Sequence, residues 1–261
     1  LICLMWGKLL RWICFRGRLN IPEIDVPVLC FIGMLIIGVI AFYVSLFGAL
    51  TIWIKLLLQI PAGLYFFKSA NRISFSNQLK SYFIKLSRSD LFLLTAGIVM
   101  VLFLSTSPII HPDSLNYHID SIQIFNKYGI LPGIANLKVE FGLQSLWFAA
   151  MSVFDLSLFQ PAVSYPLSGC VACWFFVFLV SKSIGSKERS DYPKSDVRAV
   201  WYLLLLLFSV LSWTQIRLTA SSASPDFIVA ICLWLSFYFF IRKPLRGEGD
   251  DYFYFAVFLA A

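Results

Sequence analysis

Long apolar runs separated by short basic segments constrain this chain more than any other feature. The runs occupy roughly 26–46, 47–67, 91–109, 161–181, 199–215 and 226–241. An α-helix rises about 1.5 Å per residue, so about 20 apolar residues cross a hydrocarbon layer about 30 Å thick. Hydrophobic residues make up 59% of the chain and charged residues 13%, against roughly 45–50% and 25% in soluble domains. A soluble core of this size has no room for so much apolar surface, whereas lipid accepts it. The expected fold is all-α, a polytopic transmembrane helix bundle. A weaker run, 143–159, is interrupted by Asp155 and reads as a short or re-entrant helix.

Lys and Arg set the orientation, because they concentrate in cytoplasmic loops. They gather in 1–25 (Lys8, Arg11, Arg16, Arg18), 68–90 (Lys68, Arg72, Lys80, Lys85, Arg88), 182–198 (Lys182, Lys187, Arg189, Lys194, Arg198) and 242–252 (Arg242, Lys243, Arg246). The segments between, 110–160 and 216–225, hold only Lys127, Lys138 and Arg217. The basic segments are therefore expected in the cytoplasm and the other two outside, in a multi-pass membrane protein with the lipid bilayer as its surroundings. Topology accounts for the net charge of +7, so a nucleic-acid partner is not expected. Lys55 falls inside a span, where it is expected to snorkel or to pack against a neighbouring helix.

The chain is expected to be a single transmembrane domain over 1–261 and a piece of a longer protein. It starts without Met and stops at Ala261 within an apolar run that begins near Tyr252. Its first fifteen residues carry no small-residue cleavage site, which argues against a signal peptide. The six cysteines, Cys3, Cys14, Cys30, Cys170, Cys173 and Cys232, lie in or beside apolar stretches. Cys170 and Cys173 form a C-x-x-C, but among Val, Ala, Trp and Phe it reads as one helix face rather than as a redox or zinc motif.

Polar chemistry gathers in the first outer loop, 110–160. Both histidines, His111 and His118, are there, with Asp113, Asp120 and Glu140. Pro112 and Asp113 are helix start signals and Gly129 a stop signal. Leu115, Ile119, Ile122 and Phe125 recur at helical spacing, while Asn116, Asp120, Gln123 and Lys127 fall on another face. The pattern predicts an amphipathic juxtamembrane helix lying in the interface plane. Asp113 is expected to cap that helix, and at the rim of a cavity its carboxylate also suits a general base. The spacing H-x-D-x4-H of His111, Asp113 and His118 is not an established zinc pattern, so neither metal nor cofactor is expected. Asn136, Glu140 and Gln144, four apart, would share one face of a helix, through packing or by binding a sugar. In the second outer loop, Ser224-Pro225-Asp226 reads as a helix start. Arg217 is a lone cation on a base-poor side and suits a phosphate.

Three stretches, D-S-L-N-Y-H over 113–118, Y-G-I-L-P-G-I-A-N-L over 128–137 and F-G-L-Q-S-L-W-F over 141–148, together with the later Ser-Pro-Asp, resemble the GT-C superfamily. Those are integral-membrane glycosyltransferases that use lipid-linked sugars, and the likeness is to bacterial multi-spanning relatives of that superfamily. It covers about 105–150 well and 216–230 weakly. It departs from the usual pattern in two places: Ser114, not a second acid, follows Asp113, and two spans precede the span that leads into the loop. The resemblance implies transfer of a sugar from a polyprenyl-phosphate-linked donor to a saccharide or lipid acceptor on the outer face of the membrane. Asp113 matches the acid that deprotonates or orients the acceptor hydroxyl, and Asp226 a second-loop acidic position. Tyr117 and His118 would shape the pocket or contact the sugar. The alternatives are a lipid-linked polysaccharide polymerase or ligase, a transporter, and a non-enzymatic envelope assembly protein.

Overall fold

A computed structural model describes residues 1–14, 25–84, 86–155, 165–185, 200, 203–204, 207–208, 213–246 and 250–260. Arg16, Arg18, Lys85, Lys187, Arg189, Lys194 and Arg198, the start of the 161–181 run and most of the 199–215 run lie outside the described residues. Among the described residues all regular structure is helical. The helices are α1 (Ile2–Cys14), α2 (Val26–Ser45), α3 (Ile52–Phe67), α4 (Ser69–Ile84), α5 (Arg88–Ser105), α6 (Ile119–Lys127), α7 (Leu146–Val153), α8 (Pro166–Gly185), α9 (Trp213–Thr219), α10 (Asp226–Arg246) and α11 (Asp250–Leu259). A π-helical turn, Ser114–His118, leads directly into α6.

Two of these helices, α2 and α5, are long and apolar enough to cross a membrane, with mean hydropathies of 2.6 and 1.7. The apolar parts of α3, α8 and α10 are shorter. Local chemistry explains several boundaries. Pro27 stands in the first turn of α2, where its missing N–H costs nothing. A reciprocal capping box between Ser87 and Asp90 starts α5. The second expected run, 47–67, begins later than its apolarity suggests, because 46–51 forms the turn between α2 and α3. Within 143–155, the described part of the weak 143–159 run, the helix is α7, eight residues and about 12 Å long.

The centre of the bundle is α2. Its buried face includes Phe31, Met34, Ile37 and Ala41, and α1, α7 and α8 pack around it. The hairpin of α1 and α2 is antiparallel, with Cys3 against Gly33 and Gly7 against Leu29. Beside it, α5 and α8 run antiparallel, with Gly97 against Phe176 and Gly169 against Ser105. Large apolar side chains remain uncovered on the outward faces: Trp53 and Leu64 on α3, Phe92 and Phe103 on α5, Phe237 and Phe240 on α10.

The contacts define two ends. At one, Asp25 before α2 meets Lys182 near the end of α8. At the other, Leu50 N–H donates to Phe125 O (2.9 Å), Ile130 N–H to Ser45 O (2.8 Å), and Ser168 Oγ to Ser222 O (2.6 Å). The α2–α3 turn, the 111–145 segment and the turn 220–225 therefore share one end of the bundle. That end carries the candidate site.

Candidate functional site

Residues 112–127 form one continuous helical segment whose start differs from the sequence expectation. Asp113 does not cap it: the residue is already helical (φ −67°, ψ −30°) and its side chain makes no capping bond. His111 does so instead, its Nδ1 accepting from Ser114 N–H at 3.3 Å. The reason is position. Pro112 fits the first helical residue, which puts the capping role on the residue before it and leaves Asp113 exposed in the first turn.

The apolar stripe is also rotated. Ile122 and Phe125 are fully buried, but Leu115 is 62% exposed, while Ser114 and His118 point inward. The π-helical turn explains this, since the N–H of Ile119 bonds back to Ser114 O. One extra residue in the turn shifts the phase of everything before it. Asn116, Asp120, Gln123 and Lys127 are exposed as the periodicity predicts.

The inward turn builds an aromatic and imidazole cluster. His118 is 2% exposed, and its Nδ1 shares a 3.1 Å hydrogen bond with Ser114 Oγ. Its ring lies 4.3 Å from Tyr117, 5.1 Å from Phe148 of α7 and 5.8 Å from His111, centre to centre. Burial, reinforced by the neighbouring His111, lowers the His118 pKa from 6.5 to about 4, against the pull of Asp113 and Asp226. The imidazole is therefore neutral at physiological pH. Burial, with Asp113, Asp226 and Glu140 nearby, raises the Tyr117 phenol, which stays protonated. Three carboxylates from three separate segments thus act on one tyrosine.

Asp226 enters from the second turn. His111 Nε2 lies 3.7 Å from its Oδ2, and Ser224 Oγ donates to the same oxygen at 3.0 Å. Ser224 Oγ also accepts from Asp226 N–H (3.3 Å), as a residue that starts a helix does. The 220–225 turn is fixed from outside by Trp147 Nε1 donating to Ala223 O (2.9 Å) and by the Ser168–Ser222 bond.

The remaining expected residues divide. Asn136, Glu140 and Gln144 do not share a helix face, because 131–144 holds only two short 3₁₀ turns, Ile134–Asn136 and Val139–Gly142. Gly133 at φ +81° and extended Lys138 break the helix. Glu140 still reaches the site electrostatically, through Tyr117. Asn136 is exposed, and Gln144 Nε2 donates locally to Phe141 O (2.8 Å). The charge of Asp120 acts on Tyr165 instead. Arg217 is exposed on α9, and the charges acting on Tyr117 and His118 are Asp113, Asp226, Glu140 and His111. Among the described residues no group of three or more His, Cys, Asp or Glu is arranged to hold a metal.

Three things escaped the sequence reading: the capping role of His111, the inward Ser114, and the bond from Ser224 Oγ to the Asp226 carboxylate, whereas the Ser224 cap on Asp226 N–H is as expected. The dipeptide His111-Pro112 is the signal for the first, since a residue just before an N-terminal proline is a cap position.

Next to the site runs a narrow apolar cleft of about 120 Å³ between α2, α7 and α10. Met34, Gly38, Leu146, Ala150, Ile228 and Val229 line it, and Ser145 and Pro225 stand at the site end. Below the surface helix lies a second polar group. Asn126 Nδ2 donates to buried Asp155 (2.8 Å), and its Oδ1 accepts from Ser152 Oγ. Lys55, 4% exposed, neither snorkels nor sits alone, because the charge of Asp155 acts on it.

A domain of unknown function (DUF8201) matches residues 1–261, and the chain belongs to that family. No curated protein and no solved structure matches it.

Proposed function

We propose that this member of the family is the membrane-embedded part of a glycosyltransferase. It would move a sugar from a polyprenyl-phosphate-linked donor to a saccharide or lipid acceptor at the outer face of a bacterial cytoplasmic membrane. The observation that carries this reading is the convergence of Asp113, Tyr117, His118, Glu140 and Asp226 at one end of an apolar bundle, directly beside an apolar cleft. Carboxylates and an aromatic ring suit sugar hydroxyls. The cleft is smaller than the roughly 300–1,000 Å³ of a drug-sized site, so it suits part of a hydrocarbon chain rather than a headgroup. Uncovered aromatic and aliphatic faces on α3, α5 and α10 favour a lipid environment and a multi-pass arrangement. The alternation of basic and base-poor segments orients the site end outward.

The chemistry is an inverting displacement. An acceptor hydroxyl attacks the anomeric carbon and loses its proton to a carboxylate, and the phosphate leaves with the bonding electron pair. Arg217, at the same end of the bundle, would balance charge growing on the phosphate.

A buried Lys55 beside Asp155 is the feature that a transporter would need. Lys55, however, is only three residues into α3, close to the site end rather than at half depth, where transporter sites lie. The test is transfer of labelled sugar by the purified full chain in liposomes loaded with a polyprenyl-phosphate-linked glucose. Transfer to a lipid or saccharide acceptor supports the proposal. Donor crossing the bilayer without transfer overturns it in favour of transport. A topology reporter fused after Gly129 that reads cytoplasmic removes the outward orientation.

A further inference from the structure

We propose that His111 is a positioning residue that ties the Asp226 carboxylate to the first polar loop, and that Asp226 rather than Asp113 takes the proton from the acceptor hydroxyl. This rests on the transferase reading. Two segments about a hundred residues apart in sequence supply the pair.

His111 is 8% exposed. Its Nδ1 accepts the Ser114 backbone N–H at 3.3 Å and so carries no proton. A neutral ring must then hold its proton on Nε2. That atom lies 3.7 Å from Asp226 Oδ2, just beyond hydrogen-bond range, a gap of the kind that closes when a substrate complex tightens. Ser224 Oγ donates to the same Oδ2 at 3.0 Å. Both contacts fall on one oxygen, which leaves Oδ1 for substrate. Asp226 is thus oriented from two directions, with 66% of its side chain open to solvent. Asp113 is exposed and has no capping bond to hold it.

In the reaction the acceptor O–H bond breaks and its proton passes to Asp226 Oδ1. The acceptor oxygen bonds to the anomeric carbon, and the carbon–phosphate oxygen bond breaks with its electrons going to the phosphate. His111 does not exchange a proton. It holds the carboxylate in place as the charge on it disappears.

The chain has two histidines, so ¹⁵N-histidine NMR of the full chain in nanodiscs gives two sets of ring signals. His118→Gln leaves the His111 set alone; should that variant not fold, subtracting the spectrum of His111→Asn identifies it. The expected result is an Nε2–H tautomer whose Nε2 signal moves in Asp226→Asn. An Nδ1–H tautomer, or a signal indifferent to Asp226→Asn, overturns the positioning role. Activity divides the roles further. His111→Asn keeps an acceptor for Ser114 N–H but loses the donor to Asp226, and should lower kcat about tenfold with KM retained. His111→Gln restores the donor and should recover most of the rate. Asp226→Asn should lower kcat about 100-fold or more, in the range of a lost general base, and Asp113→Asn less. Equal or greater loss in Asp113→Asn overturns the assignment of the base. Wild-type protein that transfers no sugar overturns the transferase reading and the base with it, while the NMR result decides the His111–Asp226 contact independently.

Discussion

Residues 111–127 and 131–144 are consecutive, similarly polar, and both spaced so that a helix could form, yet they fold differently. The first is a continuous helical segment with Ser114, His118, Ile122 and Phe125 buried. The second makes two 3₁₀ turns and leaves Leu137 and Val139 84% and 77% exposed. The difference lies in their anchors. The first has a cap at His111, a proline at the first helical residue, and apolar residues that find α7 and the α2–α3 turn. The second is held to the first chiefly by one side chain, Lys138, whose Nζ donates to Asn116 O and Oδ1 (2.8 and 2.7 Å) and lies over the Phe141 ring. Helical spacing alone does not make a helix; an apolar partner for one face does.

The hinge between the two halves gives the largest expected effect. Gly129 has φ +77°, and a Cβ there would lie 2.4 Å from Gly48 O and 2.5 Å from Ser45 O. Backbone strain and that clash together predict a loss of about 3 kcal/mol or more in Gly129→Ala, read as thermal unfolding in detergent. A variant as stable as wild type would remove the α2–α3 turn as the anchor of the first half.

The next effect is a pH dependence confined to the first half. His118 titrates near 6.5 unfolded and near 4 folded. Between those values the unfolded chain binds more protons, so stability is full above pH 6.5 and falls as pH drops toward 4. The loss is about 3 kcal/mol by linkage. Unfolding followed from pH 7 to pH 4 checks this, and His118→Gln should flatten the curve.

Smaller effects belong to the second half. Gly133→Ala meets strain at φ +81° but open space, with only Asn136 Nδ2 at 3.6 Å, and should cost about 1 kcal/mol. Lys138→Ala breaks solvent-accessible contacts and should cost less than about 1 kcal/mol. Its clearer signature is faster proteolysis within 131–144. If Lys138→Ala were worse than Gly129→Ala, the ranking of the two halves would be inverted.

Much of the first half was legible in the chain. Pro112 and Gly129 marked its ends, and Asn116, Asp120, Gln123 and Lys127 took the exposed face. What was not legible was the π-helical turn, because its extra residue depends on what His118 and Ser114 pack against. That turn moved Leu115 outward and carried the inward face to the histidine. The capping role went to His111 rather than Asp113, since Pro112 takes the first helical position and leaves the cap to the residue before it. In the second half the i, i+4 spacing of Asn136, Glu140 and Gln144 suggested a shared face, but Gly133 and the lack of an apolar partner decided otherwise. The contact of His111 with Asp226 joins residues far apart in the chain and needed the fold to be seen.

The bonds from Trp147 to Ala223 and from Ser168 to Ser222 have a consequence for binding. They immobilise the backbone just before Asp226 within the folded bundle, so the loss of conformational freedom at that carboxylate is incurred during folding, not on ligand arrival. A ligand that met Asp226 would therefore lose little affinity to the ordering of that backbone.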